Sequence, residues 1–378
     1  MQYLPWFACV LLLSTNIVHA RVADESDALY QQLIELRKQY DRLPHGPQQA
    51  TAKGLQPELI RASRERERIQ KEMMEVALKL AESDPGTDRG LHAIEERMNF
   101  GHQGKRDYEL LSERYASREH IGYLLNRFTS IPASKPEIDF MKSIIRNNKH
   151  VKDVAQARFR LVLTTRDADK KQAIKECERL VIDLKESNDS DLKTIAASAE
   201  GIVFDHKSLA VGKVVPELEC KDTDGIPFKL SDYRGKVVLL HFWSHSQYGG
   251  GKWANTERDE TDFTADKRAL LQRMQGKPLV LLGINTDRDL NEVHKFNRER
   301  KVNWRSFWCG RQGSYEPLAL HWNVRYGNQF LVIDHRGIIA GKNVGDIEHG
   351  VKFNQDVELN TMLNQLIQAV ETENGKKQ

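Results

Sequence analysis

Seven consecutive residues, Val237-Val-Leu-Leu-His-Phe-Trp243, constrain the fold of this chain more than any other segment. Only His241 interrupts the apolar run. A strand with one face in water alternates polar with apolar residues, whereas a near-continuous apolar run belongs to a strand buried on both faces. Such a strand lies inside a sheet covered by helices on both sides, so the segment asks for an α/β domain. Pro278 to Asn285 is a second run of the same kind.

The surrounding segments extend this reading over residues 212–375. Leu218 to Asp222 and Pro227 to Leu230 flank Thr223-Asp-Gly225, a hairpin turn. A helix is expected from Thr256, with Phe263, Leu270, Leu271 and Met274 on one face, and another over Leu290 to Arg300. Gln329 to Asp334 and Gly337 to Asn343 read as strands joined at His335-Arg336, and Val357 to Val370 as a closing helix. The expected architecture is a mixed sheet with helices on both faces.

Residues 21–205 carry a different period. Leu29, Leu33, Leu36, Tyr40 and Leu43 form a stripe ended by Pro44; Leu59, Ala62, Ile69, Met73, Val76 and Leu80 follow at three- and four-residue steps. Two long helices packed as an antiparallel hairpin fit this spacing. Shorter stripes follow: Ile121, Leu124, Leu125 and Phe128; Ile138, Met141, Ile144 and Ile145; Val154 to Phe159, paired with Ala173 to Leu184. They fit either a degenerate tetratricopeptide-like array or an irregular helical bundle. The helical period gives way to Gly and Pro at His206 to Lys213, which reads as the domain boundary. A length of 378 residues accommodates both domains.

Tyr3 to Val18 is mostly apolar and ends at Val18-His-Ala20, a small-residue cleavage pattern. Residues 1–20 are therefore expected to be a signal peptide, with the mature chain starting near Arg21 in the periplasm or cell envelope. No Lys or Arg precedes the run, and a retained anchor would carry the same pattern. The run falls short of the ~20 residues a membrane span needs. A net charge of +3, with signs alternating in blocks such as Arg64-Glu-Arg-Glu-Arg68, gives no nucleic-acid footprint. After cleavage three cysteines remain, Cys177, Cys220 and Cys309. Their odd number leaves at least one free, and no close pair stands in the sequence. Cys177 falls on an apolar stripe and reads as a small buried hydrophobe.

The segments Val211-Gly-Lys-Val-Val-Pro-Glu-Leu218, Asp224-Gly225, Leu230-Ser-Asp-Tyr-Arg-Gly-Lys-Val-Val-Leu-Leu240, Phe242-Trp243 and Phe330-Leu-Val-Ile-Asp334 occur in one order across the C-terminal half. Together they resemble the TlpA/ResA-type, AhpC/TSA-redoxin branch of the thioredoxin superfamily. Leu209-Ala-Val-Gly-Lys213, Asn285-Thr-Asp-Arg288, Trp304-Arg-Ser306 and Trp322-Asn-Val-Arg325 are similar to an exported bacterial subgroup with a helical region before the redoxin domain. The resemblance implies a thioredoxin fold and thiol-disulfide chemistry at a Cys-x-x-Cys motif following Phe-Trp.

That window here is Ser246-Gln-Tyr-Gly-Gly250, with Gln247 and Gly250 at the two cysteine positions. Asn328 stands where the family carries a cis-proline. A cis bond at a non-proline residue costs ~2.5–4 kcal/mol, so a trans bond and a reshaped loop are expected. Disulfide exchange needs a thiolate and a sulfur leaving group, which Gln and Gly cannot supply. Gly249 to Gly251 also weaken the first helical turn by ~1 kcal/mol each.

Three readings follow. The first is a redox-inactive thioredoxin-fold protein whose groove, formed by Trp243, Ser246, Gln247, Tyr248 and Asn328, binds a peptide or protein; the same loop can equally be a solvated vestige. The second is a thiol oxidoreductase using the lone Cys309 of Phe307-Trp-Cys-Gly310, which reads as a loop near the site. The third makes the helical half the functional module and the redoxin domain its cap. Cys220 reads as structural, and His241 and His245 as a polar edge beside the site without a third metal ligand. The sequence assigns no cofactor and no oligomeric state.

Overall fold

The computed structural model describes residues 5–44, 57–102, 104–127, 133–244, 263–324, 329–343 and 356–376, with side chains from residue 24 onward. The chain divides into two compact units, Met1–Ala173 and Ile174–Gln378.

In the first unit α1 (Pro5–Arg42) and α2 (Pro57–Ser83) pack side by side. Arg66 Nη1 donates to Leu43 O at 2.8 Å near one end, and Ser26 Oγ to Asp84 Oδ2 at 2.7 Å near the other, so the pair runs antiparallel as its stripes require. Leu33, Leu36, Ile69, Met73, Val76 and Leu80 are all buried in one cluster. The expected cleavage point at Ala20 falls in the part of α1 whose side chains lie outside the described residues. No helix among the described residues is long and apolar enough to cross a membrane.

Next come α3 (Asp88–Asn99), α4 (Lys105–Leu110), a π turn (Leu111–Tyr115) and a 3₁₀ segment (Ile121–Arg127). Arg97 clamps Asp107 through Nε–Oδ1 at 2.6 Å and Nη2–Oδ2 at 3.1 Å, tying α3 to α4. α5 (Lys135–Asn147) starts at a capping box in which Ser134 N–H donates to Glu137 Oε2 at 2.5 Å. α6 (Val151–Thr165) packs on α5 and on the 3₁₀ segment. Its buried Asp153 accepts from the N–H groups of His120 and Gly122 at 2.9 and 2.8 Å.

α7 (Lys170–Leu184) straddles the division between the units, and α8 (Ser190–Ser208) lies wholly within the second. The packing boundary therefore precedes the end of helical periodicity at 206–213. The cause is visible at α8: a Cβ on Gly201 would stand 2.0 Å from Leu320 O, and the Phe204 and His321 rings lie 3.9 Å apart. Only a glycine lets α8 approach that backbone.

The expected hairpin, β1 (Glu219–Lys221) and β2 (Pro227–Lys229), opens the sheet region and pairs antiparallel, with Cys220 opposite Phe228. Then follow β3 (Val237–Trp243), α9 (Phe263–Arg273), β4 (Leu279–Asn285), α10 (Leu290–Glu299), β5 (Arg305–Trp308), α11 (Pro317–His321), β6 (Phe330–Ile333), β7 (Ile339–Lys342) and α12 (Val357–Gly375). The five-stranded sheet has the order β5-β4-β3-β6-β7. β3, β4 and β5 run parallel, and β6 and β7 antiparallel to their neighbours, which is the thioredoxin arrangement.

All seven residues of β3 are buried because alternate positions feed two separate cores. Val238, Leu240 and Phe242 join Leu282, Ile284, Phe307 and Trp322 on one face. Val237 and Leu239 join Leu270 of α9 and Leu359 and Leu363 of α12 on the other. β5 and α11 have no counterpart in the sequence reading. Phe307 and Trp308, expected in a loop, belong to β5, with Cys309 at its end.

Candidate functional site

β3, β4 and β5 are parallel, so their C-terminal ends emerge at one edge of the sheet, the edge where open α/β folds place ligands. β6 enters the sheet there too: Phe330 pairs with His241, and Phe242 N–H donates to Gln329 O at 2.8 Å. Ser244, which follows β3, and Gln329, which precedes β6, therefore lie at neighbouring points of one edge. Ser246, Gln247, Tyr248, Gly250 and Asn328, together with His245, lie outside the described residues.

Trp243 is only 1% exposed, so it is a support beneath this edge and not a groove wall as the sequence reading has it. Its indole N–H donates to Ser306 Oγ at 3.1 Å. That bond reaches over β4, where Gly283 leaves the room. A Cβ there would lie 2.2 Å from Ser306 Oγ and 2.4 Å from Trp243 Nε1.

His241 also departs from expectation. It is fully buried in the sheet, not on a polar edge. Burial, reinforced by the charge of Lys267 on α9, pushes its pKa well below the ordinary imidazole value and keeps the ring neutral.

The residues ending β4 form a polar set that sequence reasoning quoted without giving it a role. Asn285 Nδ2 donates to Asp287 Oδ2 at 2.7 Å, Asp287 N–H to Asn285 Oδ1 at 3.2 Å, and Trp308 Nε1 to Asp287 O at 2.9 Å. Thr286 N–H donates to Trp243 O at 2.9 Å, so this turn also braces the end of β3. An apolar strand that ends in Asn-Thr-Asp is the signal that could have marked it.

Cys309 follows β5 directly, and its N–H donates to Asn285 O at 3.0 Å. It stands two strands from Trp243, roughly 10 Å at ordinary strand spacing. Burial, then the neighbouring charges of Cys220 and Glu316, push its thiol up to about 12. At neutral pH a thiolate fraction on the order of 10⁻⁵ follows from that value, whereas redox-active thiols lie well below the ordinary cysteine value. In the fully reduced, folded chain, iodoacetamide is expected to modify Cys309 at least about a hundredfold more slowly than a free cysteine at pH 8. The rate should climb through pH 11; a plateau near pH 9 would contradict this environment.

No protein-family model matches the chain. It is 30% identical over 89 residues to the thiol-disulfide oxidoreductase ResA of Geobacillus thermodenitrificans (strain NG80-2), covering 24% of this chain and 45% of that protein. It is 26% identical over 98 residues to ResA of Bacillus subtilis (strain 168), covering 26% and 49%. The match spans about half the length of these curated relatives. Among solved structures, the thioredoxin domain of a thiol-disulfide oxidoreductase from Bacteroides vulgatus aligns at a TM-score of 0.32 and 21% identity, covering 42% of this chain and 99% of that one. A putative thiol:disulfide interchange protein DsbE from Chlorobium tepidum aligns at 0.31 and 21%, covering 43% and 99%.

Proposed function

We propose that this chain, a TlpA/ResA-type thioredoxin-like protein, works in the cell envelope as a redox-inactive member of its family that binds an extended peptide or protein segment without exchanging disulfides. The observation that carries the reading is Gln247 and Gly250 at the two positions where the family places cysteines. Cys309 does not replace them, because a thiol held at about 12 is a poor nucleophile at neutral pH. Gln247, Tyr248 and Asn328 bring amide and phenol groups able to hydrogen-bond a partner's backbone. The hydrogen-bonded polar turn Asn285-Thr-Asp287 and the Trp243–Ser306 bond would support such a surface.

The purified chain is expected to reduce insulin disulfides no faster than background. Restoring both thiols, as Gln247→Cys with Gly250→Cys, tests whether the frame still supports the chemistry. Reduction by the unmodified chain that disappears in Cys309→Ser would reverse the proposal in favour of a lone-cysteine oxidoreductase. A photoreactive group at Tyr248 should crosslink a discrete partner in envelope extracts.

One observation favours a second reading, with the helical unit as the binding module. A groove of about 460 Å³ lies along α2, lined by Glu67, Lys71, Met74, Leu78, Arg97 and His102. Crosslinks recovered only from this groove would select it.

A further inference from the structure

Cys220 and Cys309, 89 positions apart in sequence, are brought together by the junction of the opening hairpin with the sheet. Asp222 and Phe307 form an antiparallel bridge, and Thr223 N–H donates to Ser306 O at 3.1 Å. That pattern makes Asp222–Phe307 a non-hydrogen-bonded pair. Carrying that register two residues further, past the end of β5 at Trp308, would set Cys220 opposite Cys309 in a pair of the same type. Opposed Cα atoms in such pairs are about 4.5 Å apart with their side chains close, within the range that a disulfide spans.

The packing agrees. Cys220 pairs across the hairpin with Phe228, whose ring stacks on Phe307 at 3.7 Å and 11°. Cys220 and Cys309 both pack against the same core cluster. The Cys220 charge is also one of the causes that raise Cys309, after burial.

We propose that Cys220 and Cys309 are a disulfide-forming pair, which closes to staple the hairpin β1–β2 onto the edge strand β5. The reduced chain would be closed by a disulfide donor such as glutathione disulfide. Cys220 thiolate attacks one sulfur of the donor, breaking its S–S bond and releasing one glutathione thiolate. Cys309 thiolate then attacks Cys220 Sγ and releases the second. The protein pair loses two electrons, the donor gains them, and the two thiol protons end on the two glutathiones. Burial raises both thiols, so closure should be slow and the closed bond inert. The bond would be a staple, not a catalyst.

The test is peptide mapping of the folded full-length chain after incubation with excess glutathione disulfide and quenching with N-ethylmaleimide in denaturant. The expected product is one linked species containing Cys220 and Cys309. Alkylation of both Cys220 and Cys309, a stable glutathione adduct on each, or linkage of either to Cys177 or Cys9 would overturn the proposal. Stability gives a second readout. Oxidation should shift the urea midpoint of the native chain upward, since the closed loop restrains the unfolded state. The shift should vanish in Cys220→Ser, and an equal shift in that variant would also overturn it.

Discussion

Asp222→Ala is expected to lower the unfolding free energy of the sheet-bearing unit by about 2 kcal/mol, chiefly through buried donors left without their acceptor and to a lesser extent through a broken, part-buried ion pair. Asp222 is 6% exposed. Its Oδ1 accepts from the N–H groups of Asp224 and Ile226 at 3.0 and 2.8 Å, and its Oδ2 from Arg305 Nε at 2.7 Å. One carboxylate thus shapes the hairpin turn, where Gly225 takes φ +81, and ties that hairpin to β5. Burial alone would raise its pKa, but the Ile226 and Asp224 N–H groups and the Arg305 guanidinium together hold it below the usual carboxylate range. A carboxyl depressed in the folded state stabilises above its unfolded pKa, and that contribution is lost as pH falls through the folded value. Asp222→Asn keeps an acceptor for the turn and should cost less. Urea denaturation at neutral pH measures both variants, and a loss under about 1 kcal/mol for the alanine would refute the role assigned to this carboxylate.

Below pH 6.5 the chain should lose stability faster than its His241→Gln variant. His241 is neutral in the folded state, because burial and then the Lys267 charge depress its pKa. The unfolded chain protonates it near the ordinary value of about 6.5. The unfolded state therefore binds the extra proton as pH falls, so stability is complete above about 6.5 and declines below it. The slope approaches ~1.4 kcal/mol per pH unit for one such group, or about 2 kcal/mol by pH 5. Comparing slopes, not absolute stabilities, removes any packing cost of the substitution. Identical slopes from pH 7 to 5 would show that His241 titrates normally in the folded chain.

Several sequence expectations stand in the structure almost residue for residue. The run 237–243 is β3, the Thr223-Asp-Gly225 turn joins β1 to β2, and the stripe of Leu33, Leu36, Ile69, Met73 and Leu80 is the α1–α2 seam. Each is encoded by a repeating pattern inside one segment. β5 was missed because it is four residues long, and Arg305 and Ser306 break its apolar character. α11, five residues beginning at Pro317, is too short to show a helical period.

What the sequence by itself determined is therefore local: the two-faced burial of β3, the hairpin, the long helices, and the absence of sulfur at 247 and 250. The tertiary structure decided whatever depends on segments far apart in the chain. Trp243 is a support because Ser306, 63 residues on, receives its N–H across Gly283. α8 belongs with the sheet because Gly201 admits the backbone of Leu320. The opening hairpin is tied to β5 because Asp222 meets Phe307 in a single bridge, 85 residues apart in sequence. No periodicity within a segment carries such pairings, because strand register and close backbone approach are settled only when distant elements pack.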